Sequence, residues 1–541
     1  MAESPPPARK RRTMLAMASA KSSSGMRVWQ RRSWLLDLPP DVVSQIATLL
    51  TPAALQKFAC ASRSCLIASI RLLRAALLAE VEQRLKCGTR LGDALCACPY
   101  FCIPEDATVI GKGAFSGTTS LTTVHIPDHI RSIKDHAFNG CTSLATITLP
   151  ESIQSVGRWA FCSCTALASI TLPAWRLMHI AESAFACCTS LASVDLPDGI
   201  IIVRDGAFNG CTSLKTVAVP PTLVSVMRHT FKSCIALTAI NLEHAHNLRM
   251  VGDHAFWGCT SLESVCLPAA LAALGEYSFA GCTALRHVEL PVALRTIQSH
   301  TFSGCVSLTN VAFPASLESI GEHVFNDCKS LATVHLHPGL VSIGGGAFCR
   351  CISLASASLP VTLRSIGSCA FRGCTSLGSV DLPSGMTTLG EAVFLDCHHL
   401  TTVRLPKALT FLGARCFLRC SSLASVDLPA GLISIGHRAF AQCTSLTSIC
   451  LPPEVTTIWQ RMFAQCTSLV SVQLPTRVTF ISSDAFAWCP SLDASTRAAI
   501  IAVDVYEQLM KEIDASETDA HEMKPNSRAC GSMCGVATCN K

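Results

Sequence analysis

Charge is scarce in this 541-residue sequence: Asp, Glu, Lys and Arg make up 15% of it, against 49% hydrophobic residues. A chain this poor in charge must bury a large core rather than stay solvated along its length. Tyr is nearly missing as well, with 3 copies beside 22 Phe. Evenly placed Phe with almost no Tyr is what a recurring, wholly apolar packing position produces. No run of about 20 consecutive apolar residues exists, the length a bilayer-spanning helix needs. The stretch from Leu267 to Leu285 comes nearest and is broken by Pro268 and Glu276. The hydrophobicity is therefore spread along the whole chain, and no membrane association is expected. The apolar run Thr13 to Ala20 is short and stops at Lys21, which does not suit the core of an export signal. A cytoplasmic or nuclear location is the expectation.

The net charge of +6 is unevenly placed. Up to Leu36 there are eight basic residues and only Glu3 as an acid, a local balance of +7, so the remainder sums to about −1. A near-neutral body argues against nucleic acid as a main ligand. The run Ala8-Arg9-Lys10-Arg11-Arg12 reads either as a nuclear localisation patch or as part of a solvated tail spanning 1–35.

At this length a single core has stopped growing, so the chain holds several domains or a repeat array. Repeats dominate. One unit runs Ala137-Phe138-Asn139-Gly140-Cys141-Thr142-Ser143-Leu144, continues to Pro150, and closes with Ser152-Ile153 and Val156-Gly157. In general form it is A-F-x-x-C-T-S-L-x-x-V-x-L-P-x-x-L-x-x-I-G. Seventeen Phe anchors run from Phe115 to Phe486, and fourteen of their sixteen intervals are 23 residues. The exceptions are 24 from Phe161 to Phe185 and 25 from Phe231 to Phe256. V-x-L alternates like a strand, and the following Pro ends it by removing a ladder donor. L-x-x-I-G can wrap the far side of a coil, and its Gly offers a turn with positive φ. Ala-Phe points inward. No unit can bury both of its apolar faces alone, so the units must stack.

This unit resembles the BspA-type leucine-rich repeat, whose A-F-x-x-C-x-x-L-x-x-I/V-x-L-P signature is met almost literally over 96–492. The resemblance implies an α/β repeat solenoid, a right-handed array of about 17–18 coils with a parallel sheet along one face. It implies binding to other molecules and no particular chemistry, so no enzyme activity and no cofactor are expected.

Sixteen of the 32 Cys sit three residues after the Phe. One Cys per coil is unlike the clustered ligands of structural zinc, and parallel side chains suit a disulfide poorly. The reading is a column of small buried hydrophobes with a weak donor. Cys96, Cys98 and Cys102, and likewise Cys530, Cys534 and Cys539, are sets of three at irregular spacing, and no metal site is read there. Nor is one read from His244, His246 and His254 in the lengthened unit.

Ahead of the repeats, Val42, Val43, Ile46, Leu49 and Leu50 share one helical face, with Pro40 and Asp41 suited to a first turn. Two further helices are expected at 53–61 and 64–85. This small three-helix module, 36–90, resembles an F-box at Leu38-Pro39, Asp41, Val42, Ile46, Leu49-Leu50, Leu55 and Ser62-Arg63. Cys65 departs from the family's usual Trp. That resemblance implies docking of Leu38, Pro39, Val42, Ile46, Leu49, Leu50 and Leu55 on the Skp-type linker of a cullin ubiquitin ligase, with the repeats holding a protein substrate. The competing reading is a cell-surface or generic leucine-rich-repeat binding protein, its N-terminal helices acting only as a cap on the solenoid. A C-terminal capping helix is expected over 493–513, from Ser495 to Ile513, followed by a polar tail, 514–541. For partner binding the candidates are the variable x of V-x-L on the concave strand face: His335, Asp381, Arg404, Asp427 and Gln473. The Ser or Thr just before V reads as a structural ladder.

Overall fold

The computed structural model describes residues 100–103 and 107–503. The basic segment 1–35, the F-box-like segment 36–90 and the tail 514–541 lie outside them.

Nearly every coil contributes two short strands; the coil holding Ser425 and Asp427 lacks the first of them. V-x-L supplies a three-residue strand, beginning with Tyr100–Cys102 and Thr123–His125 and ending with Ser471–Gln473. The strands pair in parallel with their counterparts one repeat away, as Thr146 with Ser169 and Ser379 with Thr402. L-x-x-I-G does more than wrap: its S-I portion forms a second parallel ladder of two-residue strands, from Val109–Ile110 to Phe480–Ile481. The result is a solenoid of about 16 turns of roughly 23 residues. The expected 17–18 coils shrink because seventeen anchors bound sixteen turns. The α component of the expected α/β class is also reduced. Among the described residues the one α-helix is at 494–503, since a repeat this short closes its coil with turns.

Two irregular intervals are absorbed locally. The two extra residues of the longest unit are taken up by a single 3-10 turn, Leu242–His244, capped by the Asn241 side chain. The one extra residue after Phe161 falls in the turn that exposes Trp175.

The core is built from two columns. The Phe rings stack nearly parallel from Phe115 to Phe486, with centroids 5.0 Å apart between Phe115 and Phe138 and 5.7 Å between Phe302 and Phe325. Near-parallel rings at that separation are offset, which their quadrupoles favour. Beside them, each column Cys donates its thiol to the carbonyl of the previous coil's Phe, as Cys305 Sγ to Phe279 O at 3.3 Å and Cys141 Sγ to Phe115 O at 3.0 Å. Burial pushes the thiol of Cys305 up to about 12, so it stays protonated and supplies a donor. All the described cysteines are free thiols.

The glycine of I-G takes a role different from the expected positive-φ turn. Gly157, Gly275 and Gly413 are not in the left-handed region. A Cβ on Gly413 would meet Gly390 O at 2.3 Å, and one on Gly275 would meet Asp253 N at 2.4 Å. At these glycines the backbones of adjacent coils pass close together, whereas coils with Lys134, Arg204 or Met227 at the same position accommodate a side chain. Positive φ occurs instead two residues before and two residues after the Phe, as at His136 and Gly140 around Phe138.

The helix starts at 494, one residue ahead of the expected Ser495. Asp493 Oδ1 accepts from the Thr496 N–H at 2.7 Å, an N-cap bond. Thr496, almost fully buried, accepts from Val472 N–H at 3.2 Å, the bond a further coil would otherwise make.

Candidate binding face

In the three-residue strands the central apolar residue is buried, Ala357 alone of those described being only half-buried, and its two neighbours face outward, as in Thr333–His335 and Thr402–Arg404. This follows from the period of two along a strand. The solenoid therefore repeats one pair of outward columns coil after coil.

The column following the Val carries His335, Asp381, Arg404, Asp427 and Gln473, all exposed. Two further members, Ser358 and Cys450, sit between them, so the five candidates lie along seven successive coils. Asp381 and Arg404 are direct partners in the strand register and form an ion pair at 3.7 Å. With Asp427 one repeat further, charge alternates along three coils. The ion pair is largely solvated and holds little energy, so these charges remain free to exchange one partner for another.

The column preceding the Val is Thr333, Ser356, Ser379, Thr402, Ser425, Ser448 and Ser471 over the same coils. It is not the structural ladder that its uniformity suggests. Its side chains point away from the core, and the strand's backbone groups are already paired with adjacent coils, so the hydroxyls are left facing outward. Hydroxyls at other positions do tie coils together, among them those following the column Cys: Thr165 Oγ1 donates to Thr142 O at 3.3 Å and Thr283 Oγ1 to Thr260 O at 3.1 Å. The strand face is thus a hydroxyl column beside a column of mixed charge and polarity.

A second feature escapes sequence reading. Two residues before the Phe, on five successive coils, stand His229, His254, Tyr277, His300 and His323, all with positive φ. Their rings form a continuous half-buried stack with centroids 4.9, 4.8, 4.3 and 4.9 Å apart. Only His254 belongs to the histidine group visible in the sequence; the signal is recurrence in phase with the Phe. His229, His254 and His300 are all held below the ordinary imidazole value, first by desolvation. The nearby cation Lys232 acts in the same direction on His229 and His254, and His323 does so on His300. Asp205, Asp253, Glu276 and Glu322 oppose the shift. His229 Nδ1 is buried with no hydrogen-bond partner.

A lowered folded-state value means that the unfolded chain takes up protons first. Stability from these rings is present above about pH 6.5 and is lost as pH falls through the lowered folded values. Thermal melts from about pH 7.5 down to 5 should show a falling Tm. Changing His229, His254 and His300 together to Tyr, the residue the stack already uses at 277, should flatten that slope. An unchanged slope would show that the stack does not titrate with folding.

A family model for the BspA type leucine rich repeat region (6 copies) matches residues 94–215, 178–307, 249–378, 295–423 and 364–493. Among solved structures, the chain is similar to a leucine-rich repeat protein from Bacteroides ovatus, at 28% identity over 72% of this chain and 85% of that one, with a TM-score of 0.42. It is also similar to a leucine rich cell surface protein from Faecalibacterium prausnitzii, at 21% identity over 56% and 86%, TM-score 0.40. A third is the T. pallidum leucine rich repeat protein, at 30% identity over 37% and 82%, TM-score 0.29. No curated protein matches the chain.

Proposed function

The chain belongs to the BspA-type leucine-rich-repeat family, and from that premise we propose that it is a non-catalytic scaffold holding a protein partner on its exposed strand face. The observation carrying this reading is the contrast between neighbouring columns. The buried and inter-coil positions repeat one residue type from coil to coil, while the column from His335 to Gln473 changes at nearly every step. An exposed array of unlike side chains repeated in register from coil to coil is a surface on which a particular partner can be selected. The right-handed winding implied by the family likeness belongs to the same reading.

Reversing charge at Asp381, Arg404 and Asp427 together tests it. Bait carrying D381K, R404E and D427K should capture markedly less of the partner recovered with the native chain, with its melting temperature unchanged. The three side chains are exposed and contribute little to folding. Equal capture by both would remove this patch from the partner surface.

A second reading adds a specific destination. The F-box-like residues Leu38, Pro39, Val42, Ile46, Leu49, Leu50 and Leu55 favour a substrate-recognition adaptor, with the Skp-type linker of a cullin ubiquitin ligase as second partner and a cytoplasmic or nuclear site of action. Family membership supports the scaffold alone; these seven residues alone support the adaptor. Ile46→Asp in the full chain separates this reading from a plain helical cap. An adaptor loses linker binding and keeps its melting temperature. A cap buries an unpaired charge and the array loses stability. A stable variant that still binds the linker contradicts both.

A further inference from the structure

Two residues after every one of the seventeen column Phe the backbone is left-handed. Gly fills seven of these positions, including Gly258, Gly281 and Gly304, as expected where a Cβ is penalised. The last five coils abandon that choice together: Asp396, Arg419, Gln442, Gln465 and Trp488 follow one another. A left-handed conformation costs an L-residue about 1–2 kcal/mol, and such strain tends to gather at functional positions.

These side chains form a single ridge. Arg419 Nη1 donates to Asp396 Oδ1 at 3.1 Å, and its Nε donates to Gln442 Oε1 at 2.9 Å. Gln442 Nε2 donates to Gln465 Oε1 at 2.6 Å. From Arg419 onward each residue donates to the next coil, so the chain of bonds ends on the Gln465 amide with its N–H groups unused. Trp488, 80% exposed, stands at the next position. A groove of about 570 Å³ runs along the ridge. On its other wall Ser421 Oγ donates to His398 O and Thr444 Oγ1 to Ser421 O. Having donated internally, these hydroxyls offer only lone pairs to the groove.

One wall therefore ends in spare donors, the other presents spare acceptors, and a broad aromatic plane closes the end. Peptide addition to a strand edge is disfavoured, because the ridge's main-chain N–H groups are taken: Arg419 N donates to Ala441 O, Gln442 N to Ala464 O and Gln465 N to Ala487 O. Charge gives no strong attraction either, since Arg419 is already paired with Asp396. A ligand fits this groove if its polar groups both donate and accept and its rings have an apolar face to lay on an indole. We propose that the groove binds a neutral oligosaccharide running along the coils, with one sugar ring stacked on Trp488 and its hydroxyls bridging the Gln465 amide and the Thr444 hydroxyl. This surface is separate from the strand face and does not depend on the scaffold reading.

The test is calorimetric titration of the full chain with cellotetraose, mannotetraose, xylotetraose and maltotetraose, with polyglutamate as the peptide control. At least one tetraose should bind in the millimolar range or tighter. Trp488→Ala should abolish that binding, and Gln465→Ala should weaken it about tenfold. Trp175→Ala, an equally exposed Trp on a distant coil, should leave it unchanged. Trp488 is exposed enough for its loss to spare the fold, which a melt of the variant verifies. The proposal is overturned if no tetraose binds, or if binding survives Trp488→Ala. It is likewise overturned if polyglutamate binds through these residues and the sugars do not.

Discussion

Phe302→Ala should cost about 3–5 kcal/mol in denaturant melts, and Phe486→Ala clearly less. The Phe302 ring is fully buried, with Phe279 at 5.6 Å on one side and Phe325 at 5.7 Å on the other. Truncating it removes two stacked contacts and leaves a void between coils that cannot close. The parallel ladders on both sides hold the coils at their spacing, so relaxation is restricted and the cavity cost is kept nearly whole. Phe486 has one ring neighbour, Phe463 at 5.2 Å, and is itself only part-buried. Beyond it lies the helix that begins at 494, which can shift without breaking a strand ladder on its far side. The expected difference is therefore a consequence of position in the stack, since both residues are the same type in the same motif. Equal losses for the two variants would mean that stability is local to each coil, and the stacking account would fail.

The same column explains what the sequence reveals. Phe, Cys and the buried Val each occur once per coil at fixed phase, and a position under one packing demand in every coil shows itself as a repeated letter. The strand alternation of V-x-L is legible for the same reason, as is the outward placement of His335, Asp381, Arg404, Asp427 and Gln473. Positions governed by backbone shape alone are less legible. The left-handed sites around the Phe accept Gly, His, Tyr, Arg, Gln and Trp, and the His, Tyr, Arg and Gln of the two ridges gain an inter-coil bond or a stacked ring that offsets the conformational cost. No single letter marks them, and the His229 to His323 stack and the ridge ending at Trp488 go unseen. The second strand, two residues long at Ser132–Ile133, is too short for alternation to declare it. In the Ser and Thr column before the Val, uniformity misleads, since those hydroxyls bond to nothing within the described residues. The F-box likeness rests on residues outside them.

A graded series of glycine replacements tests the distinction between close approach and backbone conformation. Gly413→Ala should be the worst, at about 3 kcal/mol or more. Its Cβ would stand 2.3 Å from Gly390 O and 2.4 Å from Gly390 C, and a backbone atom locked in the neighbouring coil cannot swing away. Other coils carry Lys134, Arg204 or Met227 at this position, so it forbids no side chain in principle. The difference is that six consecutive coils, from Gly321 to Gly436, all use Gly here, which leaves no looser neighbour to absorb a displacement. Gly304→Ala should cost about 1–2 kcal/mol, because its φ of +74° penalises a Cβ, while the nearest atoms, in Gly281, are at an ordinary 3.7 Å. Gly378→Ala meets nothing within 4 Å and is not in the left-handed region. It should be neutral or stabilise by about 0.4–1 kcal/mol, through the reduced freedom of the unfolded chain. Chemical denaturation of the three variants gives the order directly. If Gly304→Ala proves costlier than Gly413→Ala, conformation rather than inter-coil contact governs the array's glycines.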